Sequence, residues 1–370
     1  MRVALIIYGF LPVHIGGTEV ATYHIARHLI NEGHEVHIIT IHDSGLPKEE
    51  ITDGIYIHRI SNRFRQRRVT NWLFRLGALK KIAEINPDII HCQDIWSGII
   101  GLISKRLLGK PYITCGQGTD IYSSWKHKKT VTKIVSKNAD AVIALTEDMR
   151  KRLLDIYKRE VYIVPNGIEL ARFEGISREN TRKNLGIKSS EKIILFVGTL
   201  RPVKGVKYLI KAMKTVFEKQ HDARLFIVGS GKEEESLRTL ARELNIEKQI
   251  TFVGRVENEL VPEYMAAADI FVLPSLREGM SVVILEAMAS GLPIITTDTC
   301  GMSEIIREGR NGLLVEPKKP EQLAEKILLL LQDENLRREI STNNKENARK
   351  YNWENITAEL KKIYYKVLGK

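Results

Sequence analysis

Cysteine is scarce: Cys92, Cys115 and Cys300 are the only three in 370 residues. They are too few and too scattered for a disulfide framework, so a reducing compartment suits the chain. No CxxC pair occurs and no His/Asp/Glu cluster has metal-ligand spacing, which argues against zinc and against any resident metal. Long apolar runs are missing too. None reaches the roughly 18 residues of a membrane span. Arg2 followed by Val3–Val13 looks superficially like a signal peptide, but no small-residue cleavage site follows. Gly9, Pro12 and the Gly16-Gly17 pair read better there as a strand running into a loop. Three chemical signatures are also absent. There is no Gly-x-Gly-x-x-Gly fingerprint, which disfavours a nicotinamide cofactor, no phosphate loop of P-loop type, and no nucleophile elbow. With no short-period repeat and no low-complexity tract, an ordinary soluble globular chain remains, long enough for two domains of about 100–200 residues each.

What the chain does have is positive charge in one place. The net charge is +12, and residues 59–137 hold 16 Lys/Arg against 4 Asp/Glu, so this segment carries the whole excess. Arg63, Arg65, Arg67 and Arg68 precede a Trp72, Leu73, Phe74, Leu76 cluster, and Lys126, Lys128, Lys129 and Lys133 come later. Basic residues beside such a cluster suit an anionic membrane surface. A solvated helix face is the plainer reading, and nucleic acid is not expected as a partner. The expected location is cytoplasmic, including the inner face of the membrane.

Short apolar runs alternate with segments of helical length. Val3–Tyr8, Val36–Thr40, Ile89–Cys92, Tyr112–Cys115, Ala141–Leu145 and Val161–Val164 read as buried strands, with Ile55–Ile60 as an additional one. The pattern restarts at Lys192–Val197 and continues through Ala223–Val228, Ile250–Val253, Ile270–Leu273 and Pro293–Thr296. Near-continuous apolar strands alternating with helices predict parallel sheets covered on both faces. The expectation is an α/β fold of two doubly wound, Rossmann-like domains, residues 1–170 and 171–350, with a final helix at 351–370. The polar stretch Glu169–Ser190 reads as the break between them. Ligands of such sheets sit beyond the carboxyl ends of the strands, so an interdomain cleft is the expected site.

Four post-strand loops carry candidate chemistry. In the first, Glu278-Gly279-Met280-Ser281 leads into a helix that holds Glu286 and ends at Gly291. Amides at a helix start favour phosphate, and carboxylates can accept hydrogen bonds from sugar hydroxyls. The two glutamates equally suit the surface of a core helix. In the second, Gly198-Thr-Leu-Arg201-Pro-Val-Lys204-Gly205 places two cations three residues apart, able to clamp a diphosphate. The third carries Gly16-Gly17 before a helix, permitting close backbone approach to an anion. The fourth group is His91, Gln93 and Asp94 after one strand and Gln117-Gly118-Thr119-Asp120 after the next.

Together these residues resemble the retaining GT-B glycosyltransferases of family 4 over essentially the whole chain. The markers are Gly16-Gly17-Thr18-Glu19, Pro87–His91, Pro165-Asn166-Gly167-Ile168-Glu169, Arg201-Pro-Val-Lys204-Gly205, and Glu278 with Glu286 in the family's E-x7-E string. The resemblance implies that Arg201 and Lys204 hold the donor's diphosphate and that Glu286 binds ribose hydroxyls. It further implies that Glu278 contacts the transferred sugar and that Gly279, Met280 and Ser281 offer amides to it. Arg255 and Val256 would lie against the nucleobase, Gly16, Gly17 and Gly198 near the donor phosphates, and the last helix on the N-terminal domain. One departure stands out: Gln117 occupies the place of a family histidine near the reacting centre, and an amide cannot carry a proton. Gln117 and Asp120 are thus catalytic candidates, with His91 and Asp94 on the acceptor side.

The expected function is a retaining, metal-independent transfer from a nucleotide-diphosphate sugar, a co-substrate rather than a cofactor, to a hydroxyl of a glycan or lipid-linked acceptor. The alternatives are a nucleotide-sugar epimerase of the same architecture and a non-catalytic basic membrane-binding protein on this fold.

Overall fold

The computed structural model describes residues 1–61, 67–118, 120–122, 126–157 and 160–370, without side chains at 67–71 and 126–128. Arg63, Arg65 and Thr119 therefore lie outside the described residues, as do the side chains of Arg67, Arg68, Lys126 and Lys128. The chain divides into two units, Met1–Gly167 with Trp353–Lys370, and Ile168–Asn352.

The first unit contains β1 (Arg2–Ile6), α1 (Gly17–Asn31), β2 (Glu35–Ile41), β3 (Glu49–Thr52), β4 (Ile55–Ile60), α2 (Arg67–Ile85), β5 (Ile89–Cys92) and α3 (Gly98–Leu108). It continues with β6 (Tyr112–Gly116), α4 (Lys126–Asn138), β7 (Ala141–Ala144), α5 (Glu147–Tyr157) and β8 (Tyr162–Ile163). Its sheet runs β3-β4-β2-β1-β5-β6-β7-β8, parallel except at β3-β4. Val3–Ile6, Val36–Ile41 and Ile89–Cys92 are buried throughout, as strands covered on both faces must be.

The second unit contains α6 (Arg178–Asn184), β9 (Lys192–Val197), α7 (Val206–Lys219), β10 (Ala223–Val228), α8 (Glu234–Glu243), β11 (Ile250–Gly254), α9 (Val261–Ala267) and β12 (Ile270–Leu273). After these come α10 (Val282–Ala289), β13 (Ile294–Thr297), α11 (Met302–Ile305), β14 (Leu313–Val315), α12 (Pro320–Gln332) and α13 (Glu334–Ala348). The all-parallel sheet runs β11-β10-β9-β12-β13-β14. On α7, Leu209, Ile210, Met213, Val216 and Phe217 recur at helical spacing and form one buried stripe. The last helix, α14 (Trp353–Leu368), belongs to the first unit and packs on α1. Gly167 permits this return: a Cβ there would meet the Trp353 ring at 2.4 Å.

Several elements escaped the sequence pattern. The stretch Glu169–Ser190 is not a loop, because α6 forms within it and packs on α9. Ser177 caps α6 through the Asn180 amide, and the buried Arg182 donates to the carbonyls of Ala267, Lys188 and Glu191 at 2.8, 2.7 and 2.6 Å. A polar sequence is helical here because one cation satisfies three backbone acceptors. β3 is a polar edge strand held by its neighbour: Glu50 pairs with Arg59 at 2.7 Å, and Glu49 bonds His58. Arg59, counted from sequence within the basic surface, is thereby only 3% exposed.

Replacing Arg182 by leucine keeps the bulk and removes all three bonds. Leaving buried acceptors unpaired costs about 1–3 kcal/mol each, so urea denaturation should report a loss of about 3 kcal/mol or more. A loss below about 0.5 kcal/mol, the scale of an ordinary surface change, would contradict this account of α6.

Candidate functional site

The second sheet reverses its strand order between β9 and β12. Ligands of open parallel sheets bind beyond the strand carboxyl ends at such a reversal, where diverging loops leave a crevice. The loops leaving these two strands are those that carry Gly198, Arg201 and Lys204, and Glu278, Gly279, Met280 and Ser281. They are tied backbone to backbone. Leu276 N–H donates to the Val203 carbonyl at 2.7 Å. Gly205 has φ +66°, and a Cβ there would lie 2.1 Å from the Pro274 oxygen, so only glycine fits. A third loop joins them, which the sequence reading passed over although its Gly-Ser-Gly was visible. Gly229 (φ +130°) would carry a Cβ 2.0 Å from the Gly198 oxygen, and Gly231 approaches the Leu200 carbonyl. Leu200 N–H in turn bonds the Ser230 carbonyl at 2.9 Å. Arg255, exposed, and Val256, half-buried, follow β11, whose Gly254 carbonyl accepts from Gly229 N–H at 2.7 Å.

The side chains are less symmetric than two free cations. Lys204 Nζ lies 2.5 Å from Glu278 Oε2, both largely buried, and the Ser275 hydroxyl contacts the same carboxylate at 3.3 Å. Arg201 is exposed and has no ion-pair partner among the described residues. Anything drawing on the Lys204 charge competes with Glu278, and a ligand that takes Lys204 releases Glu278 as an acceptor. Helix α10 begins at Val282, with Ser281 at its N-cap. Glu286, on the second turn of α10, is 8% exposed, and no described residue donates a hydrogen bond to its side chain. Burial pushes its carboxyl up to about 7, with Arg172 opposing.

In the first unit, Gly16 caps α1 and Gly17 begins it. Glu19 folds over that start: its Oε2 would sit 2.6 Å from a Gly16 Cβ, and burial raises its pKa while its own amide opposes. A carboxylate thus already occupies the anion-favouring end of α1. Gln117 accepts from the Thr18 hydroxyl at 3.3 Å, linking the α1 start to the β6 loop. Asp120 is buried and saturated. Oδ1 accepts from the Gln117 and Gly118 amides at 2.9 Å each, and Oδ2 from Ile95 N–H at 3.2 Å. Burial, then the neighbouring Asp94 charge, pushes it up to about 6. It holds the loop rather than facing solvent. Asp94, half-buried, accepts from Ser97 N–H at 2.7 Å at the start of α3.

His91 requires a correction. It lies within β5, 2% exposed, with Nδ1 2.8 Å from the Tyr364 hydroxyl of α14 and Nε2 without a partner. Burial pushes its pKa down to about 3. A position at the strand's end suggested access to acceptor; the returning helix covers the ring instead. Among the described residues, no group of three or more His, Cys, Asp or Glu is arranged to hold a metal ion.

Glu286 generates a stability prediction. Its carboxyl ionises near 4.5 unfolded and near 7 folded, so the native state binds more protons between those values. Stability from this group is therefore full below pH 4.5 and falls as pH rises towards 7, by about 3 kcal/mol. Glu286→Gln lacks this term. Urea denaturation should show the variant gaining on wild type by that order between pH 4.5 and pH 8; a pH-independent difference would remove the buried-carboxyl account.

Comparison with known proteins agrees with this arrangement. The model for Glycosyltransferase Family 4 matches residues 15–172, and that for Glycosyl transferases group 1 matches residues 177–347. The chain is 30% identical to N-acetyl-alpha-D-glucosaminyl L-malate synthase of Bacillus anthracis, over 96% of this chain and 95% of that protein. Among solved structures, sucrose-phosphate synthase from Thermosynechococcus elongatus superposes with a TM-score of 0.89 at 24% identity, covering 100% and 99% of the two chains. Anabaena HepE in complex with UDP-glucose superposes with a TM-score of 0.84 at 20% identity, covering 99% and 100%. The chain belongs to the family 4 glycosyltransferases and has their GT-B fold of two parallel-sheet α/β domains.

Proposed function

We propose that this glycosyltransferase moves a sugar from a nucleoside-diphosphate sugar to a hydroxyl acceptor, with retention of anomeric configuration and without a divalent metal. The observation that carries this is the pair of tied loops at the switch point of the second sheet. They hold Arg201, Lys204 and Glu278, and on the helix that follows no described residue donates a hydrogen bond to the Glu286 side chain. Arg201 and Lys204 neutralise the charge developing on the leaving diphosphate, aided by amides at Gly279, Met280 and Ser281 and the close backbone at Gly198. Glu286 accepts from the ribose hydroxyls, which favours its ionised form and releases its proton. Lys204 turns to the diphosphate, and Glu278 turns to the donor sugar's hydroxyls. Arg255 and Val256 border the base. UDP-sugars are the first donors to test, since HepE binds UDP-glucose.

The state of three candidate bases supports retention. Gln117 cannot carry a proton, Asp120 is saturated by three amides, and His91 is sealed in the core. A front-face reaction needs none of them, because the departing phosphate oxygen takes the acceptor's proton. Gln117 positions Thr18 and the α1 start.

A second reading has its own observation. On α2, α3 and α4, which lie side by side, Trp72, Leu76, Leu107 and Ile134 are 62%, 59%, 72% and 48% exposed, amid the basic segment. We propose that this face docks on anionic lipid, as a lipid-linked acceptor would require.

Two outcomes are expected. Turnover of a UDP-sugar should survive EDTA, and proton NMR of the fresh product should find the donor's anomeric configuration. Lys204→Ala and Glu286→Ala should each weaken UDP binding at least tenfold, as expected for charge-assisted bonds of about 1.5–3 kcal/mol; an inverted linkage, or unchanged binding in both folded variants, would overturn the assignment. Separately, the protein should co-sediment with phosphatidylglycerol vesicles, less so at high salt or with Trp72→Ala/Leu76→Ala. Equal pelleting with neutral vesicles would leave these helices as an ordinary solvated face.

A further inference from the structure

The second unit has a cavity of about 170 Å³ whose residues the donor reading does not use. Arg307 and Arg310, on the turn after α11, border it with Lys350, just past α13, and with Glu304, Asn347 and Tyr351. It is roomier than a single water needs and smaller than ordinary small-molecule sites of roughly 300–1,000 Å³, so it suits one compact group.

Its lining holds three cations and one acid, Glu304. No ion pair joins Arg307 or Arg310 to a described residue. The other acid of the turn, Glu308, is engaged elsewhere: it pairs with Lys326 at 2.9 Å and accepts from Leu314 N–H at 2.5 Å. The turn is fixed from beneath. Asn311, 2% exposed, accepts from Arg307 N–H at 2.7 Å and donates to the Ile305 carbonyl at 3.0 Å. The Asn343 side chain of α13 donates to the Arg310 carbonyl at 2.8 Å. The backbone that carries both guanidinium groups is therefore held before any ligand arrives, which lowers the ordering cost of binding. Lys350 uses one of its three donors on Asn347 at 2.9 Å. Tyr351 adds a neutral donor. Burial, then the Glu304 charge, raises its pKa while Arg307 opposes, so its hydroxyl keeps its proton. A carboxylate would bring this set one charge and two oxygens. A phosphate group brings a charge of about −1.5 to −2 and three strong acceptor oxygens, which two guanidinium forks can share.

The position has a consequence for the chain. It passes between the two units after Gly167 and before Trp353. Those passages are joined, because Ile168 N–H donates to the Tyr351 carbonyl at 2.7 Å and Ile168 bridges Asn352. Tyr351 thus borders the cavity and holds the crossing.

We infer that this cavity is a phosphate-class oxyanion site, held by Arg307, Arg310 and Lys350 with the Tyr351 hydroxyl, and that its occupancy steadies the Ile168–Tyr351 bond where the chain passes between the units. None of its residues belongs to the loops that carry Arg201, Lys204 and Glu278.

The test uses the full chain carrying Arg201→Ala/Lys204→Ala, which removes the cations of those loops, titrated by calorimetry with inorganic phosphate and with acetate. Phosphate should bind at millimolar concentration or below, and at least tenfold more tightly than acetate. Adding Arg307→Ala/Arg310→Ala, both at exposed positions, should weaken phosphate at least tenfold, the scale of one lost charge-assisted bond. Tyr351→Phe should weaken it by less. In the same background, phosphate should slow hydrogen exchange at the Ile168 amide, and Arg307→Ala/Arg310→Ala should abolish that slowing. In the otherwise wild-type chain, Arg307→Ala/Arg310→Ala should leave UDP binding unchanged. Glycerol 3-phosphate separates the sources of the group. Binding as tight as phosphate assigns the phosphate end of a larger molecule, exclusion assigns the free ion, and both keep the site. No millimolar binding of phosphate, phosphate no better than acetate, or equal binding with and without the two arginines would overturn the inference, and unchanged exchange at Ile168 would overturn the steadying of the crossing. Failure of the donor reading would be separate: UDP would not bind, whatever phosphate does.

Discussion

Gly205 lies against the carbonyl of Pro274, and the candidate site of the second unit depends on that contact. The close approach holds the loop after β9 on the loop after β12, and the Leu276–Val203 backbone bond keeps it there. With both loops held, Lys204 reaches Glu278 and Arg201 stands exposed beside them. The glycines at 198, 229 and 231 extend the same principle to the loop after β10. Backbone at this end of the sheet is packed against backbone, which leaves side-chain positions with little freedom to drift.

The two units handle buried charge differently. In the second, Glu286 is buried without a donor, a costly state that a diol-bearing ligand would relieve. In the first, Asp120 is buried with three amides, an arrangement that orders the β6 loop. Asp94 stands near it electrostatically and near Glu19 as well, and burial raises both Asp94 and Glu19. Carboxylates with raised pKa values cluster at functional sites and in structural networks alike. Hydrogen-bond partners separate the cases: three amides hold Asp120, and no described residue donates to the Glu286 side chain.

Much of the fold was legible because buried parallel strands need continuous apolar runs. Ile89–Cys92, Lys192–Val197 and Ala223–Val228 stand at the bounds their residues suggest. Elements that carry no apolar signature were not legible. β3 is Glu-Glu-Ile-Thr and α6 is Arg-Glu-Asn-Thr-Arg-Lys-Asn; each forms because partners distant in sequence satisfy its polar groups. Loop chemistry was partly legible: Arg201, Lys204, Glu278 and Glu286 announce themselves by type and spacing. The Gly-Ser-Gly turn and Arg307 do not, since a glycine's neighbour and a cation's missing counter-charge are properties of three dimensions.

The sequence by itself determined the class of the fold, the two-fold repetition of the doubly wound pattern, the loops that carry the candidate residues and the family. These rest on local periodicity, on helix-start and turn chemistry, and on residue identity within motifs. The tertiary structure alone decided which candidates are available. It buried His91 under Tyr364 and Arg59 beneath β3, joined Lys204 to Glu278, saturated Asp120, and left Glu286 without a donor and Arg307 without an ion pair among the described residues. Availability depends on burial and on the groups that long-range packing brings within hydrogen-bond distance, and neither is encoded in the order of neighbouring residues.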